Sequence, residues 1–164
     1  MHKNLEILYS AAEMADRRHL PIQFVLTISK KQGRAAKRLV QAIKKENFNL
    51  HIINVGKIPQ SKISSFVNSV DALILPSLCE SYGLSSLEAW FHEKPYLVSD
   101  IDFAHEVCRK AALYFDPADA NSIISAIELL LVSDKQVDSC ILAGKERLRD
   151  LSNAPETVRK ILSI

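Results

Sequence analysis

Short aliphatic and β-branched runs alternate with stretches of helical period up to residue 115, and this alternation constrains the fold more than any other feature. The runs are residues 22–28 (IQFVLTI), 50–55 (LHIINV), 72–75 (ALIL), 96–98 (YLV) and 112–115 (ALYF), each bounded by Pro, Gly, Asp, Asn or Ser. Continuous apolar runs of this length predict strands buried on both faces, the pattern of a parallel sheet.

The intervening stretches repeat apolar residues at three- and four-residue steps: Leu5, Leu8, Ala12, Ala15; then Ala36, Leu39, Val40, Ile43; then Ile63, Phe66, Val67. Leu84, Leu87, Trp90 and Phe91 form a fourth stripe, expected to face the core, and Ile123, Ile124, Ile127 and Leu130 a fifth. From about Asp119 only helices are predicted, with breaks at residues 133–134 and 153–155. Helix–strand alternation predicts an α/β sandwich with right-handed crossovers and helices on both faces of one mostly parallel sheet. Ligands of such folds bind beyond the C-terminal ends of the strands. At 164 residues the chain reads as a single domain, residues 1–164, opening directly on a helix at Lys3.

Composition removes several functional classes. A net charge of +2 is too small to argue for nucleic acid, and the basic residues of 30–45 alternate with apolar ones as on a solvated helix face. Three widely spaced cysteines (Cys79, Cys108, Cys140) and five scattered histidines lack the spacing of a disulfide framework or a zinc site. No apolar run approaches the ~20 residues that span a bilayer, and the N-terminal residues lack a signal-peptide core. A cytoplasmic protein is the expectation.

There is no G-x-G-x-x-G, P-loop, G-x-S-x-G or H-E-x-x-H, and four glycines exclude a glycine-rich phosphate loop. A helix N-terminus can still hold an anion. After the strand at 72–75, Pro76 stops ladder pairing, a loop carries Glu80, and Gly83 opens a helix whose first amides, at Gly83, Leu84 and Ser85, point beyond the sheet. Glu88 lies one turn inside that helix. Spacing alone first suggests a solvated Glu80 and a Glu88 that complements the helix dipole. The alternative is a nucleotide-sugar site, with amides for phosphate and carboxylates for vicinal hydroxyls.

The stretch PSLCESYGLSSLEAWFHEKPYLVSDI, residues 76–101, resembles the E-x7-E region of retaining family 4 glycosyltransferases (glycosyl transferases group 1) with the GT-B fold of two Rossmann-like domains. HKNLEILYSAAE, INVGKIPQSKISSFVNSVDALILPS and AALYFDPADANSIISAIELLL resemble further segments in order, so the likeness runs over nearly the whole chain. It implies the C-terminal, donor-binding half: a Rossmann-like three-layer sandwich with a helical C-terminal third. It also implies that the first strand of the usual domain, the arginine that strand carries, and the N-terminal acceptor domain are absent. By this resemblance Glu80 hydrogen-bonds the donor sugar and is the catalytic candidate. Ser81, Tyr82, Gly83 and Leu84 line the donor with it, Glu88 binds the ribose, Lys3 neutralises the diphosphate, and Ile58 meets the base through its backbone. The donor is a UDP- or GDP-linked sugar, no metal or organic cofactor is required, and the acceptor is a glycan or glycolipid held by the absent domain, which would also make any membrane contact.

Ser81, Tyr82, Ser85 and the pair His92-Glu93 replace the family's Gly, Phe, Pro and small-Gly. Two other functions stay open: a stand-alone nucleotide-sugar-binding module or subunit of a split transferase, and a GT-B epimerase. Loss of a central strand would expose two edges and invite homodimerisation or strand swapping. Elsewhere the expectations are plain. Cys79 is a buried thiol without a role, His105 a helix-surface residue, and Asp102 a helix cap acting through Arg109. Trp90 and Phe91 are core or domain-contact aromatics, and Lys30, Lys31 and Arg34 are solvated charges at the opening of a helix.

Overall fold

The computed structural model describes residues 3–45, 51–80 and 83–152. Each apolar run yields a strand shorter than the run itself: β1 (Phe24–Leu26), β2 (Ile52–Asn54), β3 (Leu73–Leu75), β4 (Tyr96–Ser99) and β5 (Leu113–Phe115). Helices alternate with them: α1 (Ile7–Arg17), α2 (Arg34–Lys45), α3 (Ile63–Asn68), α4 (Leu84–Phe91) and α5 (Asp102–Cys108), followed by α6 (Ala120–Val132) and α7 (Asp134–Ser152). The predicted break at 133–134 separates α6 from α7, whereas residues 153–155 lie outside the described residues. The first helix starts at Ile7 rather than Lys3; residues 3–6 form a turn in which Asn4 has φ 49°. Lys30 to Gln32 form a short 3-10 turn ahead of α2, so the basic residues there straddle two elements, and Ser29 caps the turn by accepting from the Lys31 amide.

All strand pairs are parallel, yet the single sheet expected from the sequence is two sheets. β1 pairs with β2 in register Val25 to Ile53, and β3–β4–β5 pair in registers Ile74 to Leu97 and Val98 to Tyr114. A cavity of about 1020 Å³ lies between them, lined by Phe24, Val25 and Leu26 from β1 and by Leu73 and Ile74 from β3. Parallel neighbours pair only at about 4.8 Å, so edges that flank a cavity cannot join directly.

Strand β4 shows why the runs are continuous rather than alternating. Leu97 packs with Leu8, Ile123 and Ile124 on one side, while Tyr96 and Val98 pack with Leu87, Trp90 and Cys108 on the other, and all are essentially solvent-free. Helix α4 departs from its expected orientation. Ser86, Leu87, Ala89 and Trp90 are buried, but Leu84 is 54% and Phe91 60% exposed. The small residues Ser86 and Ala89 let the helix sit close to its neighbours, and that close face excludes the bulkier ends of the stripe. Trp90 is therefore a core aromatic, its indole N–H donating to the Ala111 carbonyl at 2.9 Å, and Phe91 is a surface one. Among the described residues no helix is long and apolar enough to cross a membrane.

Candidate functional site

At the end of β3 the chain is anchored before it turns outward. Pro76 and Ser77 are fully buried, while Leu78 and Cys79 are exposed, so the expectation of a buried Cys79 is corrected. A strand that must leave the sheet within three residues brings its side chains into solvent. Ser77 Oγ donates to Glu80 Oε1 at 3.3 Å, and the Lys3 ammonium forms an ion pair with the same oxygen. The Glu80 side chain is 15% exposed, against 46% for Lys3. Lys3 reaches it because the turn before α1 lies over the C-terminal ends of the strands, where Asn4 Nδ2 donates to the Pro117 carbonyl at 2.8 Å.

Ser81 and Tyr82 lie outside the described residues. Gly83 then begins α4 in the left-handed region, φ 65° and ψ 64°, with a Cβ position only 2.8 Å from the Phe103 ring and 3.4 Å from Leu75. Conformation and space both demand glycine. No side chain caps this helix start; the Gly83 carbonyl instead accepts from the amide of Ser86 at 2.8 Å and from its hydroxyl at 2.9 Å. Leu84, the next residue, is exposed.

Glu88 is half-buried and lines the cavity between the sheets together with Ser85 and Ile58. Burial pushes its carboxyl above the usual 4.5. Beside it, Ser85 Oγ and the Tyr96 hydroxyl are 2.9 Å apart. Burial raises the Tyr96 pKa far above its ordinary 10, and the Glu80 and Glu88 carboxylates add to that rise, so both acids act on one buried hydroxyl. Ile58 follows Gly56, whose φ is 81°, on the far side of the cavity. Its loop is held by Asn54, whose side chain accepts from the Ile28 and Gly56 amides and donates to the Ile28 carbonyl.

Two carboxylates, a left-handed glycine and an uncapped helix start are thus gathered at the C-terminal end of β3, with Lys3 above and Ile58 across the cavity. Sequence reasoning did not single out Ser77, Asn4 or Asn54. A polar residue directly after a strand-ending proline was a usable signal for Ser77, but the partners of Asn4 and Asn54 lie 113 and 26 residues away and leave no local trace. Asp102 does not act as expected: it sits in the first turn of α5, Ile101 occupies the cap position without a side-chain bond, and among the described residues no ion pair joins it to Arg109. His105 is a surface residue, 54% exposed, its Nε2 2.5 Å from Asp100 Oδ1 and its ring stacked on Tyr114. Among the described residues no cluster of His, Cys, Asp and Glu could hold a metal ion.

A parallel α/β domain with its polar groups collected at the strand ends is a Rossmann-like ligand-binding domain. The chain belongs to the glycosyl transferases group 1 family, whose sequence model matches residues 1–147. It is 44% identical over 57 residues to the O-antigen chain mannosyltransferase RfbU of Salmonella typhimurium, a match covering 35% of this chain and 16% of that protein. Among solved structures it resembles sucrose-phosphate synthase from Thermosynechococcus elongatus (TM-score 0.76, 22% identity, 98% of this chain and 41% of that one). It also resembles the C-terminal domain of LpcC, a glycosyl transferase group 1 family protein from Francisella tularensis (TM-score 0.73, 17% identity, 94% and 83%). These likenesses give the chain the Rossmann-like architecture of a GT-B glycosyltransferase domain. The chain spans less than half the length of the mannosyltransferase and the synthase.

Proposed function

We propose that this domain binds a nucleotide-diphosphate sugar at the C-terminal end of β3 and presents it for retaining transfer to a glycan or lipid acceptor held by a second domain. The observation that carries the reading is the pairing of a half-buried Glu88 with Ile58 in one cavity, while Glu80 stands at its rim beside Lys3 and Gly83. In this reading the Glu88 carboxylate accepts from both ribose hydroxyls, and the nucleoside lies against Ile58. Glu80 orients the sugar through its hydroxyls, and the first amides of α4 and the Lys3 ammonium stabilise the charge that develops on the departing diphosphate. Those groups supply positive potential without a metal ion. Ser81, Tyr82 and Leu84 complete the wall around the sugar.

Membership of the glycosyl transferases group 1 family supports transfer chemistry, and the RfbU likeness supports a role in polysaccharide assembly with a hexose as the transferred sugar. The test is calorimetric titration of UDP, GDP and their hexose conjugates against the full-length enzyme. Glu88→Ala is expected to weaken one of these ligands by roughly 10- to 100-fold, the value of hydrogen bonds to a charged group. A panel in which nothing binds, or binding indifferent to Glu88→Ala, would sink the proposal.

A further inference from the structure

We infer that the cavity between β1 and β3 receives one extended apolar strand, parallel to both, whose C-terminal end leads into Lys3. The first support is the backbone. In a parallel ladder a residue's N–H and C=O point to the same edge, and successive residues alternate. The Phe24 amide and the Leu26 carbonyl bond to β2, and the Leu73 amide bonds toward β4, so Val25 and Ile74 turn their backbone groups the other way. Both residues line the cavity. Two sets of donors and acceptors therefore face an apolar space, and a single strand between them would satisfy both.

Direction follows from the sheets, since every existing pair is parallel. The chemistry of the occupant follows from the lining. Leu8, Ile127 and Leu130 from α1 and α6, with Ile63, Phe66 and Val67 from α3, surround the space, so the strand must be apolar along its length. The attachment point follows from the turn before α1: Lys3 and Asn4 are bonded to Glu80 and Pro117, beyond the C-terminal ends of β3 and β5. A parallel strand in the cavity ends at that level, and the passage from it through α1 to β1 is the favoured right-handed crossover. Relatives that extend well beyond this chain have the length to supply such a segment. The inference stands whether or not the donor reading is correct.

The experiment compares residues 1–164 with a form carrying a six-residue Val/Ile extension in place of Met1 and His2, and with a control extension containing two prolines. Amide exchange of Val25 and Ile74 is expected to slow by roughly 100-fold in the Val/Ile form alone. Its melting temperature is expected to rise by more than about 5 °C. Slow exchange of both amides in the monomeric, unextended protein would overturn the inference, as would an extension that changes neither quantity. Protection of both amides in a dimer of the unextended chain, seen by light scattering, would assign the space to a second copy and overturn it equally.

Discussion

Lys3 and Glu80, 77 residues apart in the chain, are joined as an ion pair over the C-terminal end of β3. A cation meant for a diphosphate and a carboxylate meant for a sugar are thus held together before any ligand arrives. Because Lys3 is nearly half exposed, the pair contributes little to folding, at most about 1 kcal/mol. Its breakage should appear in binding instead. Lys3→Ala is expected to leave the melting temperature within a few degrees of the parent. The same substitution in the full-length enzyme should weaken nucleotide-diphosphate affinity by about 10-fold, the share of one charge-assisted contact. Equal affinity in both proteins would remove Lys3 from the site.

Gly83 is the position where site geometry and stability meet. Gly83→Ala forces an L side chain into the left-handed region and places its Cβ 2.8 Å from the Phe103 ring. A loss of about 1–3 kcal/mol is expected by urea denaturation. Adding Phe103→Leu should return only part of it, because the shorter side chain relieves the contact and leaves the backbone strain. Complete recovery would show that the backbone conformation carries no cost.

The strand cores and the α/β order were legible because both depend on local pattern. Residues such as Val25, Ile74 and Leu97 sit in unbroken apolar runs that few other structures could bury. The division into two sheets was legible only as a missing strand. The facing of Val25 and Ile74 across a cavity depends on residues some 50 positions apart. Leu84 and Phe91 show a second limit: periodicity identifies an apolar stripe but not which part of it a neighbour covers, and here the small residues Ser86 and Ala89 occupy the close contact. At the site, Glu80, Gly83 and Glu88 were visible as a spacing within one loop and helix. The Ser85–Tyr96 pair that lies beside them joins two different elements and was not.

Close packing between α4 and α7 yields a stability prediction opposite to helix propensity. Gly144 lies within α7, where alanine would ordinarily gain about 1 kcal/mol. A Cβ there would stand 2.5 Å from Trp90 Cδ1 and 2.9 Å from Cγ. The ring is 2% exposed and tied to the Ala111 carbonyl, so it cannot retreat without losing that bond. Gly144→Ala is therefore expected to lower stability by about 1–3 kcal/mol. Lys145→Ala, which removes a surface ion pair with Glu93, should change it by no more than about 0.5 kcal/mol. A Gly144→Ala protein as stable as the parent would mean that α7 and α4 are further apart than the structure has them.

Glu88 links the site to pH. Burial raises its folded-state pKa above the ordinary 4.5, so folding favours the protonated acid. Below the ordinary value both folded and unfolded chains hold the proton, and the residue adds no pH dependence. As pH climbs past that value the unfolded chain releases its proton first. The stability term from Glu88 then falls until the folded carboxyl has also ionised, and stays at its lower level above that point. Glu88→Gln removes this term. Relative to the parent, the Gln variant should gain stability between about pH 4 and about pH 7.5, measured by urea midpoints at both values. Donor binding should move the other way, since the ribose hydroxyls need a carboxylate to accept both of their hydrogen bonds. The parent's affinity should therefore rise through the same interval, while that of the Gln variant stays low. A stability difference unchanged between the two pH values would show that the Glu88 carboxyl is solvated rather than buried at the cavity wall.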